Sequence, residues 1–256
     1  MTVHRLTSCL RGAAIPAILV LVAQVASVIS PVESDSLASP WDAFQAGLGA
    51  LADGSLLLAT WETLRSAFIG LALGGSIGLV LGILLGTVRS LNRLLEFTIE
   101  ALRPIPAVAI IPVALLIFGI GPQMEIAVVA AATPWPILIM TRAAVAGIEP
   151  QLLQVARVLR LGLVDRVFKI IFPAALPRIF VAFRLAVGVA LTVAVTVEIA
   201  ANPQGLGQGI MIAQQSLRPA LMIAYLLWIG VVGWGINRLL LQAQQSWFGR
   251  AATVGA

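Results

Sequence analysis

An all-α, polytopic membrane protein with six transmembrane helices and both termini in the cytoplasm is the fold that three observations predict. First, 60% of the 256 residues are hydrophobic and only 11% charged, with a mean hydropathy of +1.02. Soluble globular chains run at about 45–50% apolar and about 25% charged, so an ordinary soluble enzyme, a disordered chain and a secreted disulfide scaffold are excluded. Second, the apolar residues gather in uncharged runs near the roughly 20 residues that cross a bilayer. Third, the basic residues between those runs sort onto one side.

The first run, Gly12 to Val32, follows His4, Arg5 and Arg11 and precedes Glu33 and Asp35. A cleaved signal peptide carries an apolar region of about 7–15 residues; this run is longer, so a retained first helix is expected. From Glu33 to Glu62 the chain is too polar for hydrocarbon, and Trp41 to Leu51 within it has the makings of a short amphipathic surface helix. The second run is Ser66 to Val88, where Gly70, Gly74, Gly78, Gly82 and Gly86 step by four. One helix face is thus a strip of glycine, which lets helix backbones approach closely in a bilayer; tight packing within the chain is expected before a subunit interface.

A short polar stretch, Arg89 to Arg103, leads to Pro104–Thr141, which is too long for one span at 1.5 Å per residue. Gly119, Gly121 and Pro122 divide it into two helices joined by a tight turn. Prolines at 104, 106 and 112 in the first half and at 134 and 136 in the second free backbone carbonyls that need other partners. Such helices either line a watery path or simply bend to pack; Pro106, Pro112 and Pro134 are the candidate path residues. The last two runs are Ala174 to Ala201 and Pro219 to Asn237. Arg184 and Glu198 lie about 21 Å apart along the former, so they mark opposite interfaces, and Glu198 is a candidate gate residue.

With the N-terminus inside, fourteen basic residues are cytoplasmic and only Arg65 and Arg218 are outside, a strong positive-inside asymmetry. Glu33, Asp35, Asp42, Asp53, Glu62 and Glu125 then fall on the outer side. The net charge of +5 is therefore a matter of topology; the arginines form no basic face for nucleic acid.

Absent chemistry narrows the function. The one histidine is His4 and the one cysteine Cys9, so no Ser–His pair, histidine metal site or disulfide is available. Lys169, the only lysine, follows Phe168, which excludes a Gly-Lys-Ser/Thr phosphate loop. No cofactor is called for. The apolar runs carry almost no ionisable group, and paired carboxylates are not evident, which disfavours an ion-coupled carrier, a channel or a membrane-embedded enzyme. An ATP-independent secondary transporter or channel stays as the alternative.

Between Glu149 and Arg178 lies the most polar internal stretch. Glu149-Pro150 is a helix start, and Gln151 to Leu161 reads as helical. Asp165 and Lys169 pair at i,i+4, Val164, Val167, Phe168, Ile171 and Phe172 make an apolar face, and Pro173 is the expected end. Two short helices joined near Gly162 make either a docking knob for a soluble partner or an inert loop lying on headgroups.

At this loop the chain resembles the integral membrane subunit of a type I ATP-binding-cassette importer. The motif is carried by Gln154-Val155-Ala156-Arg157 and Ile171-Phe172-Pro173-Ala174-Ala175-Leu176-Pro177. The resemblance extends over about residues 58–242, including Thr63-Leu64-Arg65, Arg103-Pro104-Ile105-Pro106, Phe118-Gly119-Ile120-Gly121, Arg184-Leu185-Ala186, and Glu198 followed by Gly205-Leu206-Gly207. These features are most similar to the branch serving nitrate, taurine, alkanesulfonate and bicarbonate uptake. The chain departs where the family favours Glu (Gln154), a first Ala (Val155) and a loop glycine (Arg160, with Gly162 two residues later).

The resemblance implies a permease domain over 58–242, preceded by a tail, first helix and outer loop (1–57) and followed by a cytoplasmic tail (243–256). It implies a multi-pass protein of the bacterial cytoplasmic (inner) membrane, with ATP hydrolysed by a separate partner. Two ATPase subunits, a second permease subunit (a homodimer is expected) and an extracytoplasmic solute-binding protein are the implied partners, besides lipid. Gln154, Val155, Ala156, Arg157, Arg160, Gly162 and Pro173 are the implied ATPase-coupling residues.

Overall fold

The computed structural model describes residues 38–249 and, before them, helical residues at 18, 20–22, 24 and 25. Apart from those positions, the expected first span at Gly12 to Val32 lies outside the described residues, as do 250–256; residues 243–248 of the expected C-terminal tail continue the last helix. Every described element is helical.

α1 (Pro40–Ala52) occupies the segment expected to form a surface helix. Its start is a capping box: Asp42 N–H donates to Ser39 Oγ at 3.1 Å and Ser39 N–H to Asp42 Oδ2 at 3.3 Å. α2 (Ser55–Thr87) begins at Gly54, whose φ of 78° suits glycine, and runs for 33 residues. At about 50 Å it exceeds a hydrocarbon core of about 30 Å. It starts well before the uncharged run because Glu62 and Thr63 are used inside the bundle, so their polarity does not end the helix.

The polar stretch after α2 is a helix as well, α3 (Arg89–Leu102). It is amphipathic, and Leu94 and Phe97 stand exposed on it. Arg142 ties it to the bundle by a hydrogen bond to Asn92 Oδ1 at 3.1 Å and a contact with Glu96 at 4.0 Å. The next segment differs from the expected helix. After Arg103 come a 3₁₀ turn, Ala107–Ile110, and only eight residues of helix, α4 (Ile111–Phe118), at 84° to α3. Pro104, Pro106 and Pro112 remove three N–H donors within nine positions, which prevents a continuous ladder.

Gly119 (φ 72°) and Gly121 (φ 136°) make the expected turn into α5 (Pro122–Ala132), which continues through Thr133 into α6 (Pro134–Ala146). α7 (Pro150–Val158) and α8 (Leu163–Arg166) follow; a π turn at Val167–Ile171 then carries the chain into α9 (Phe172–Ala200). α10 (Gly205–Gln215) and α11 (Pro219–Phe248) complete it. Among the described residues four helical runs are long and apolar enough to cross a membrane, or five if the bent pair counts as one.

The glycine strip explains the packing. A Cβ on Gly70, Gly82 or Gly86 would lie 2.6 Å from the Cβ of Val129, Thr141 or Val145, and one on Gly78 would lie 2.5 Å from Pro134 O. Gly74 meets Ala130 O and Thr133 Oγ1. All five thus lie against α5–α6, where backbone contact replaces side-chain interdigitation. Ala67, Leu71, Val129, Ile137, Ala186 and Ala190 bring α2, α5, α6 and α9 into one core.

Candidate functional site

Three places carry the candidate residues, beginning with the loop before α9. Ala156 is fully buried, whereas Gln154, Val155, Arg157 and Arg160 are exposed. α7 ends in a Schellman motif: Leu161 N–H donates to Ala156 O at 3.0 Å and Arg160 N–H to Arg157 O at 3.0 Å. The left-handed residue is Arg160 itself, with φ 50°. Gly162 has φ −61° and ψ 169°, ordinary extended backbone, so the turn does not depend on it.

Pro173 does not end a helix as expected; it lies in the first turn of α9. The π turn just before it shifts the hydrogen-bond register, so a residue without an N–H sits there without breaking the run. The expected apolar face divides. Ile171 is buried, with Val167 and Phe172 packed on its cluster beside Ala144, Val145 and Ile148. Val164 and Phe168 stay exposed, as do Val155, Val158 and Leu159 on and just after α7, and Arg157, Arg160 and Lys169 among them in sequence.

At the other end of α9 lies a polar node that sequence reasoning missed. α10 lacks a side-chain cap of its own, yet each N–H of its first three residues has a partner from elsewhere. Gly205 N–H donates to Glu62 Oε2 at 2.9 Å, Leu206 N–H to Thr63 Oγ1 at 2.9 Å, and Gly207 N–H to Glu198 Oε2 at 2.8 Å. The positive end of the helix dipole makes carboxylates suitable partners. Gly205 (φ 90°) and Gly207 form the cradle: a Cβ on either would meet the Glu198 side chain.

Glu125 reaches the same node, accepting a bond from Asn202 Nδ2 at 2.6 Å, and its carboxyl interacts with that of Glu198. Both glutamates are 1% exposed. The bundle therefore does hold a pair of ionisable carboxyls, against the expectation of none, and Glu125 is enclosed instead of standing among the outer charges. The residues lie 77 positions apart for Asn202 and Glu125; the only local signal was an acidic residue after Gly-Pro at the start of α5 and the Glu198…Gly205-Leu206-Gly207 spacing.

Two cavities flank α9. One, of about 510 Å³, lies between α9, α11 and α2, with Thr63, Arg184, Gly188, Thr192, Thr196 and Asn237 on its walls. The other, of about 620 Å³, lies between α9 and the broken segment, walled by Ile105, Ala107, Trp135, Pro136 and Val193. Pro106, Pro112, Pro134 and Glu198 line neither: the prolines shape the break or begin a helix, and Glu198 holds α10.

The model of the family described as binding-protein-dependent transport system inner membrane component matches residues 78–252. The bicarbonate transport system permease protein CmpB of Synechococcus elongatus is 34% identical over 72% of this chain and 68% of its own. The nitrate import permease protein NrtB of Leptolyngbya laminosa is 30% identical over 78% of this chain and 71% of its own. Among solved structures, an inward-facing form of the MetNI methionine ABC transporter shares the fold, with a TM-score of 0.68 at 23% identity over 75% of this chain and 95% of that one. Relatives at this identity and coverage, together with a matched family model spanning most of the helices, place the chain: it belongs to the binding-protein-dependent transport system inner membrane component family, as a multi-pass permease subunit of an ABC importer.

Proposed function

We propose that this permease imports a small anion, such as a sulfonate, taurine, nitrate or bicarbonate, in an assembly of two copies of the chain, two ATPase subunits and an extracytoplasmic solute-binding protein. Nitrate and bicarbonate are the solutes for which the relatives above are named, and both are anions. The segment from Gln154 to Pro173 faces the cytoplasm and receives the ATPase. The observation that carries this is the set of exposed apolar side chains on α7, α8 and the π turn after them, which we read as one crest. Val158 is 81% exposed and Phe168 69%, on a base anchored by buried Ala156 and Ile171. Exposed apolar groups rimmed by charge are the ordinary form of a protein contact, and a rigid base lets a push on the crest reach α9.

Because Ala156 is buried, a charge there tests the folding of the loop. Val158→Asp with Phe168→Asp tests docking, since both side chains are exposed. Pull-down of the cognate ATPase should fall at least tenfold with the double variant while its elution volume in detergent stays that of the wild type. Equal recovery means the crest is not the ATPase contact. Solute uptake that persists in vesicles lacking any ATPase would instead support a secondary transporter or channel.

A further inference from the structure

Arg184, Gly188, Thr192 and Thr196 step by four along one face of α9, and all four line the 510 Å³ cavity. Over that length the face extends about 18 Å. The hydroxyl of Thr192 donates to Gly188 O at 2.9 Å and that of Thr196 to Thr192 O at 2.7 Å, so both donors are spent on backbone. The end nearer the coupling loop is different. Among the described residues Arg184 is the one charged residue on the wall, and it makes a single side-chain hydrogen bond, through Nη1 to Gln244 Oε1 at 3.0 Å.

Gln244 is 1% exposed, and its helix is pinned beside α9 by Trp247 and Phe248 against Phe180, at 5.9 and 5.8 Å between ring centres. This holds the arginine in place without neutralising it, because no carboxylate lies within ion-pair distance among the described residues. Asn237, two turns before Gln244 on α11, lines the same cavity and makes no hydrogen bond among the described residues.

A guanidinium with one hydrogen bond and no counter-ion among the described residues, facing a cavity with apolar walls, is a recognition element for an oxyanion. We propose that Arg184 holds the negatively charged group of the transported solute at the loop-side end of this cavity, and so selects anions. The proposal rests on the reading of the chain as an anion importer and assigns that selectivity, in part, to the permease.

The test needs no knowledge of the solute. In the assembled transporter reconstituted in liposomes, with Cys9→Ser to remove this chain's only thiol and the same assembly without Thr192→Cys as the background, Thr192→Cys is reacted with a negatively charged (ethylsulfonate) or a positively charged (ethyltrimethylammonium) methanethiosulfonate. Each rate is divided by that reagent's rate with a free thiol in solution, which leaves the local potential as the variable. The anionic reagent is expected to be favoured, by about tenfold or more for a unit charge about 12 Å along the helix. Arg184→Gln should remove the preference and Arg184→Lys should keep it.

With Arg184 intact, the preference should also shrink between 0.1 M and 1 M salt, as the Debye length falls from about 10 Å to 3 Å. That measurement stands even if Arg184→Gln fails to fold. Equal normalised rates for the two reagents, an unchanged preference in Arg184→Gln, or a Thr192→Cys that neither reagent reaches would overturn the proposal. The ATPase pull-down reports separately on the importer reading, so the two failures are distinguishable.

Discussion

The two ends of α9 turn the chain by opposite means. Before it, the chain reverses at Arg160, in solvent, held by backbone hydrogen bonds from Arg160 and Leu161. After it, the chain turns around a filled core of side chains, in which Glu62, Thr63 and Glu198 take the three leading N–H groups of α10. Glycine is used differently as a result. At the first turn only a dihedral favours it, and a residue with a side chain has taken the place. At the second turn space itself is limiting, and glycine stands at both 205 and 207. Where a backbone must approach another backbone, the residue is fixed by volume; where it must only bend, the choice is worth little.

Gly207→Ala should break the comparison most visibly. The added Cβ would lie 2.8 Å from Glu198 Cβ and 3.0 Å from Ile199 N, besides meeting Val195 O. These are main-chain atoms of a buried helix or the root of a buried side chain, so neither neighbour moves cheaply. Overpacking of this kind costs about 3 kcal/mol or more, a fall of roughly 6–12 °C in the unfolding midpoint for a chain of this size. The measurement is thermal unfolding in detergent at one scan rate, and an unchanged midpoint would show that the node is looser than its contacts imply.

Glu198 comes next. Glu198→Ala leaves Gly207 N–H buried without a partner, at about 1–3 kcal/mol. Glu198→Gln keeps an acceptor for that N–H and places an amide donor beside Glu125, so it should be near neutral. Equal losses for the two variants would mean that the carboxylate charge at the α10 N-terminus, rather than hydrogen bonding, is what the node uses.

Much of the bundle was legible because its signals are local. The fourfold glycine step on α2, the Gly119–Gly121–Pro122 turn and the Trp41 to Leu51 helix are each written within a few turns of sequence. α3 shows in the sequence only as a polar stretch, although Arg89, Arg93, Glu96 and Glu100 fall at helical spacing. The prolines at 104, 106 and 112 signal a break or a bend, but its 84° angle and the eight-residue helix after it are set by packing. The node was invisible for another reason: Glu62, Glu125 and Glu198 sit near the ends of three separate runs, and end charges look like interface markers until packing brings them together. The cavity around Arg184 is likewise a property of three helices, of which only the α9 stripe can be read along one.

The smallest expected effect sharpens the other side of the comparison. Arg160 holds a left-handed conformation that costs a side-chain-bearing residue about 1–2 kcal/mol, so Arg160→Gly should relieve strain in the Schellman turn. Glycine's extra freedom in the unfolded chain offsets about 0.4–1 kcal/mol of that, leaving a net gain of about 0.5 kcal/mol. Gly162→Ala should be neutral or slightly stabilising, since its backbone is extended and a Cβ there meets nothing within 4 Å. Hydrogen exchange reads both locally: the Leu161 amide, bonded to Ala156 O, should exchange roughly two- to threefold more slowly in Arg160→Gly, a factor that corresponds to about 0.5 kcal/mol. Faster exchange would mean that the Arg160 side chain contributes to the turn beyond its dihedral. In that case the departure from glycine is an interaction the loop makes, and the contrast between a turn set by angle and a turn set by volume would no longer separate the two ends of α9.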